Sequence, residues 1–197
     1  MMSDAYWQIA FQRKLRSLLE SYQEPRVAIL GIGNEFHGDD AAGIVLTRVL
    51  LESSIGHPRL MVVSTGTVPE NFTGLLRLFA PDLVLLVDAA RMDKEPGAAC
   101  LLDFQSIEGC AGSTHTLSLN IFADYLSAEL GCKPVLIGIQ PDNISMGTPL
   151  SPAVRATIAT LVQEFTDVFR LRYIPSWGVK EAVENGQMQN ISSLERS

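Results

Sequence analysis

The chain has 197 residues, 47% of them hydrophobic and 19% charged, a composition that favours one folded domain with a sizeable core and excludes a chain left disordered for want of apolar residues. Its 22 acidic against 15 basic residues leave a net charge of −7, which would repel a phosphate backbone, so nucleic acid is not expected as a partner. The most apolar stretch, Leu83 to Val87, is far short of the roughly 20 residues that cross a bilayer, so no membrane span is expected.

Near the start, Asp4, Gln8, Gln12, Arg13 and Lys14 interrupt any leader-like apolar region, which points to a cytoplasmic protein. Trp7, Phe11, Leu15, Leu18 and Leu19 recur at helical spacing and predict an amphipathic helix, an extension over residues 1–25 ahead of the main domain. Pro25 closes it. Arg26 to Gly33 reads as a buried strand entering a glycine turn, and Ala41 to Glu52 as a helix. Further strands are predicted at Leu60–Val63, Leu83–Val87, Ala98–Leu102 and Val135–Ile139, with helices over 69–79, 117–130 and 151–170. Strands alternating with helices of this length imply a largely parallel sheet covered on both faces, an α/β domain over residues 26–172. The turn-like segment 89–98 predicts that the strands on either side of it are neighbours, with one antiparallel edge. Residues 104–115 read as a loop, and the polar, weakly periodic residues 173–197 as a flexible tail.

In a parallel sheet the loops after the strand C-termini converge on one crevice, so polar residues there are the first candidates for chemistry. Asp39 and Asp40 follow the first strand, Asp88 ends the buried run Leu83–Val87, and His115 precedes a helix. Each has a plainer reading on its own. An acid before a helix serves as an N-cap, Asp88 could close a turn, and a lone histidine often makes a local hydrogen bond. Taken together, Asp40, Asp88 and His115 fall within reach of one divalent ion that keeps open positions. His57 before Pro58 suits a surface turn, and His37 a solvent loop. No GxGxxG, GK[ST], HExxH or GxSxG pattern occurs. Cys100, Cys110 and Cys132 are odd in number and lack CxxC spacing, as suits reduced thiols. Cys110, five residues before His115, allows a cysteine amidase as a rival, although an inert thiol is the simpler reading.

Five motifs then follow one another in order: Gly31–Asp40 (GIGNEFHGDD), Gly66–Phe72 (GTVPENF), Val87-Asp88-Ala89, Thr114-His115 and Ile137–Pro141 (IGIQP). On these the chain, over roughly residues 26–170, resembles the nickel-iron hydrogenase maturation endopeptidases. It is most similar to the branch serving the hydrogenase of formate hydrogenlyase and its energy-converting relatives. The resemblance implies a three-layer αβα sandwich around a mostly parallel sheet. It also implies an endopeptidase that removes a C-terminal peptide from the nickel-loaded large-subunit precursor of a nickel-iron hydrogenase. The family's metal-contacting positions fall on Asp40, Asp88 and His115, and the nickel is supplied by the substrate. Asp39 beside Asp40 is the candidate base. Where many relatives carry an acid shortly before the GT of the second motif, this chain reads Val63-Ser64-Thr65-Gly66, and Ala41 replaces the glycine that often follows GDD. The Ser64 departure supports, as an alternative, a non-catalytic protein that checks a metal-loaded partner during hydrogenase assembly.

Overall fold

A computed structural model describes residues 4–53, 57–104 and 116–173. Five strands, β1 (Val27–Ile32), β2 (Leu60–Gly66), β3 (Leu83–Ala89), β4 (Ala99–Asp103) and β5 (Lys133–Ile139), form one sheet in the order β2-β1-β3-β5-β4. All neighbours are parallel except the edge strand β4, which runs antiparallel to β5. The helices are α1 (Asp4–Glu20), α2 (Ala42–Glu52), α3 (Thr73–Phe79), α4 (Thr116–Leu130) and α5 (Pro152–Tyr173).

Alternate residues of each central strand serve two different cores. Val27, Ile29, Leu83 and Leu85 face Leu46 and Leu50 of α2, Leu161 and Phe165 of α5, and Phe11, Leu15 and Leu19 of α1. Ala28, Leu30, Val84 and Leu86 face Leu76 of α3 and Leu119, Phe122 and Leu126 of α4. Burial on both sides is the reason β1 and β3 read as unbroken apolar runs rather than alternating ones. The expected three-layer αβα architecture is therefore present.

Helix α1 is built into this core. The Phe11 ring meets Phe165 edge-on with centroids 6.4 Å apart, Lys14 Nζ donates to the Leu101 carbonyl at 2.8 Å, and the Gln12 amide donates to Glu164.

One topological expectation is corrected. The strands flanking residues 90–98 are not neighbours, because β5, arriving parallel after α4, occupies the free edge of β3 and β4 pairs on its far side. The connection instead crosses the end of β5, where Ala90 N–H donates to Ile139 O at 2.9 Å, Met92 N–H to Gln140 Oε1 at 2.6 Å and Gly97 N–H to Gln140 O at 2.8 Å. The antiparallel edge is as expected. The helix predicted over 69–79 opens as a 3-10 turn, Pro69–Phe72, before α3. Tyr173 still belongs to α5, and the rest of the expected tail lies outside the described residues. Among the described residues no helix is long and apolar enough to cross a membrane.

Candidate active site

The strand order fixes where a crevice opens. From β1 the chain passes through α2 to β2 on one side, then returns through α3 to β3 on the other, so the loops after β1 and β3 part at their C-terminal ends. Asp39 and Asp40 occupy the first of these loops, in a 3-10 turn spanning Gly38–Ala41 that runs into α2. Asp88 stands one residue beyond Gly31–Val87, the last pair of the β1–β3 ladder. Its neighbour across β5 is Gly138, which offers no side chain.

All three acids are withdrawn from water: Asp39 and Asp88 are fully buried and Asp40 is 7% exposed. Asp88 Oδ1 accepts the Ala89 N–H at 2.9 Å. Burial, followed by the charge of Asp40, pushes the Asp88 carboxyl up from 3.8 to about 7, against the opposing pull of the Ala89 N–H. Two mutually repelling carboxylates in a dry crevice form an oxygen donor pair whose repulsion a divalent cation would relieve, so these residues fit a metal. Among the described residues no group of three His, Cys, Asp or Glu side chains gathers into a metal site. His115, the third expected ligand, lies outside the described residues, as does Cys110.

Asp39 has a different setting from Asp40. Its Oδ2 accepts the N–H groups of Asp142 at 2.8 Å and Asn143 at 3.1 Å, and its Oδ1 accepts that of Ser151 at 2.7 Å. The plain reading of these acids as N-caps does not hold, since neither the 3-10 turn nor α2 carries a side-chain cap hydrogen bond. Beside the loop held by Asp39, at the ends of β3 and β5, lies a cleft of about 420 Å³ lined by Arg91, Gln140 and Asp142 among others.

The remaining candidates divide cleanly. His57 sits in a turn, its Nδ1 accepting the Arg59 N–H at 3.1 Å. His37, read from sequence as a solvent-loop residue, is half-buried with Nδ1 enclosed by protein. Cys132 is buried, its Sγ donates to Leu126 O at 3.4 Å, and burial pushes the thiol up to about 11, far from a neutral-pH nucleophile. The sequence pattern does not single out Gly43, on which α2 approaches the strands, or residues 142–151, the stretch beyond the IGIQP motif that meets Asp39. A glycine inside an otherwise apolar helix was the available signal for the first. Nothing local marked the second.

Fold and acids together describe an α/β protein with a candidate site at the switch point between β1 and β3. The HycI hydrogenase maturation protease family matches residues 45–168, a stretch that takes in Asp88 and His115 and begins inside α2, beyond Asp40. The chain belongs to this family and is a protease. It is 31% identical over 136 residues to the hydrogenase 3 maturation protease of Escherichia coli K12, a match covering 68% of this chain and 85% of that one. Among solved structures it is similar to the nickel-iron hydrogenase maturation protease HycI of Thermococcus kodakarensis KOD1, with a TM-score of 0.71 and 32% identity over 78% of this chain and 99% of that one. The solution structure of the endopeptidase HycI from Escherichia coli aligns with a TM-score of 0.60 and 28% identity, covering 70% and 86% respectively.

Proposed function

We propose that this protease cuts a C-terminal peptide from the large-subunit precursor of a nickel-iron hydrogenase once nickel has been inserted, with Asp40, Asp88 and His115 completing the coordination of the nickel that the precursor brings. The convergence of Asp40 and Asp88 carries this reading: buried together, they drive the Asp88 carboxyl up to about 7, a cost that a bound cation would turn into attraction. A donor set with two carboxylates and one imidazole is weak for capturing free metal and well suited to filling open positions on an ion already held by substrate cysteines. Gripped from both sides, the nickel fixes the scissile peptide beside the acids, and this positioning is the main source of rate. Polarisation of the carbonyl by the substrate's metal then favours attack by water. Family membership supports the proteolytic part, since relatives with this fold are named maturation proteases.

The direct experiment is incubation of the purified chain with nickel-loaded precursor, followed by intact mass of the large subunit. A discrete loss from its C-terminus is expected. An unchanged mass, with complex formation intact, would favour the checkpoint alternative.

A further inference from the structure

The two adjacent acids of the GDD motif sit in unlike surroundings. Asp40 has its carboxylate beside Asp88, close enough for its charge to raise the Asp88 carboxyl. Asp39 turns the other way and spends both oxygens on three backbone N–H groups, those of Asp142, Asn143 and Ser151, while its own N–H donates to Asn143 O at 2.9 Å. Four hydrogen bonds thus pass through one fully buried residue into a loop more than a hundred positions away. The loops meet at two further points. Gly147 N–H donates to Phe36 O at 2.8 Å, and a Cβ on Gly38 would stand 2.5 Å from both Asn143 O and Thr148 Oγ1.

A general base needs an oxygen lone pair aimed at the proton it removes. The oxygens of Asp39 are aimed at amides, in the charge-assisted geometry by which a carboxylate orders a loop. We infer that Asp39 is a positioning residue: it locks loop 140–151 against loop 33–41, thereby fixing the Asp40 carboxylate and the adjoining cleft wall for the cleavage reaction. This rests on the proposed function and changes the part Asp39 plays in it. Phe36 and Met146, 66% and 77% exposed, ride on the two locked loops, so the same clamp sets the spacing of two exposed apolar side chains.

The test compares Asp39→Asn with Leu15→Ala, a control that loses core packing on the α1 side. Backbone amide exchange, thermal unfolding and precursor cleavage across pH are measured for both. In Asp39→Asn the amides of Asp142, Asn143 and Ser151 should exchange about 10-fold faster as the loops part locally. Cleavage should fall about 100-fold, the penalty for a misplacement near 1 Å, while the pH–rate profile keeps its shape. Leu15→Ala, at equal or greater loss of thermal stability, should keep cleavage within about 3-fold at temperatures where it is folded. Unchanged exchange at the three amides, or a profile that loses its acidic limb, would overturn the inference, the latter in favour of a base. If Asp39→Asn does not fold, Gly38→Ala opens the same seam without touching the acid, and full activity in that variant would be equally fatal. A wild-type chain that leaves the precursor uncut defeats the proposed function instead, and the exchange measurement then decides the clamp alone.

Discussion

Gly43 of α2 and Val87 of β3 approach so closely that a Cβ on the glycine would stand 2.1 Å from the Val87 carbonyl oxygen and 2.5 Å from that of Ile32. Helix α2 therefore rests on the backbone of β1 and β3 at the level where Asp88 follows Val87 and where the loop bearing Asp40 enters the helix. Contact at backbone distance leaves no flexible side chain to yield.

Gly43→Ala is accordingly expected to push α2 off the sheet, destabilising the protein by roughly 1–3 kcal/mol through overpacking. Cleavage should suffer beyond the stability loss, because the shift separates Asp40 from Asp88. Denaturant unfolding and precursor cleavage, measured on the same sample, check both parts. A fully stable, fully active variant would show that the helix can slide at no cost.

Asp88→Asn should act in opposite directions on stability and on activity. The folded-state value of Asp88 is raised from 3.8 to about 7, so the native protein holds this proton more tightly than the unfolded chain. The associated stability is complete below pH 4 and is lost as pH rises towards 7, a contribution of at most roughly 4 kcal/mol. Asparagine carries no charge to bury and keeps an oxygen for the Ala89 N–H. Relative to wild type, the variant should gain stability between pH 4 and 7, remain more stable at pH 8, and cut no precursor. Parallel unfolding curves for the two proteins over that range would contradict the assignment of the raised value to Asp88.

Asp40→Asn and His115→Ala should each abolish processing while leaving a cooperative unfolding transition, since each removes a proposed ligand rather than core volume. Cleavage assays run beside thermal melts test this. Full processing by both variants would remove these residues from the site.

Truncation of residues 1–22 is expected to destabilise the protein severely, because Phe11, Leu15 and Leu19 are buried in the core shared with α5 and β4. Leu15→Ala alone should cost about 2–5 kcal/mol. Chemical denaturation distinguishes this from a dispensable appendage, which would leave the midpoint unchanged.

Much of this was legible in the chain itself. Leu83 to Val87 announced a strand buried on both faces, and Asp88 at its end was conspicuous because a carboxylate there needs a partner. The helical spacing of Phe11, Leu15 and Leu19 correctly marked a packed face. Strand order was not legible in the same way. The turn residues near Asp93 and Gly97 report only that the chain reverses, and pairing of β4 with β5 depends on which strand reaches the free edge of β3. The environment of Asp39 was hidden for a similar reason, since its partners at 142, 143 and 151 are backbone amides, which leave no mark on residue type.

The donor count of the proposed site separates a metal brought by the substrate from one resident in the protease. A resident catalytic ion is usually held by three strong protein ligands, often two or three of them imidazoles, with oriented partners behind them. Here the described residues contribute two carboxylates, Asp40 and Asp88, and the proposed set adds one imidazole. The isolated protein should therefore bind nickel or zinc weakly in calorimetry and leave casein intact at any metal concentration. Precursor without nickel should also survive, because in the proposed function recognition and placement of the scissile bond both depend on the bridging ion. The same precursor should be cut after nickel insertion. Efficient cleavage of metal-free precursor in a strong chelator would end this account and direct attention to a nucleophile, with Cys110→Ala as the variant that decides it.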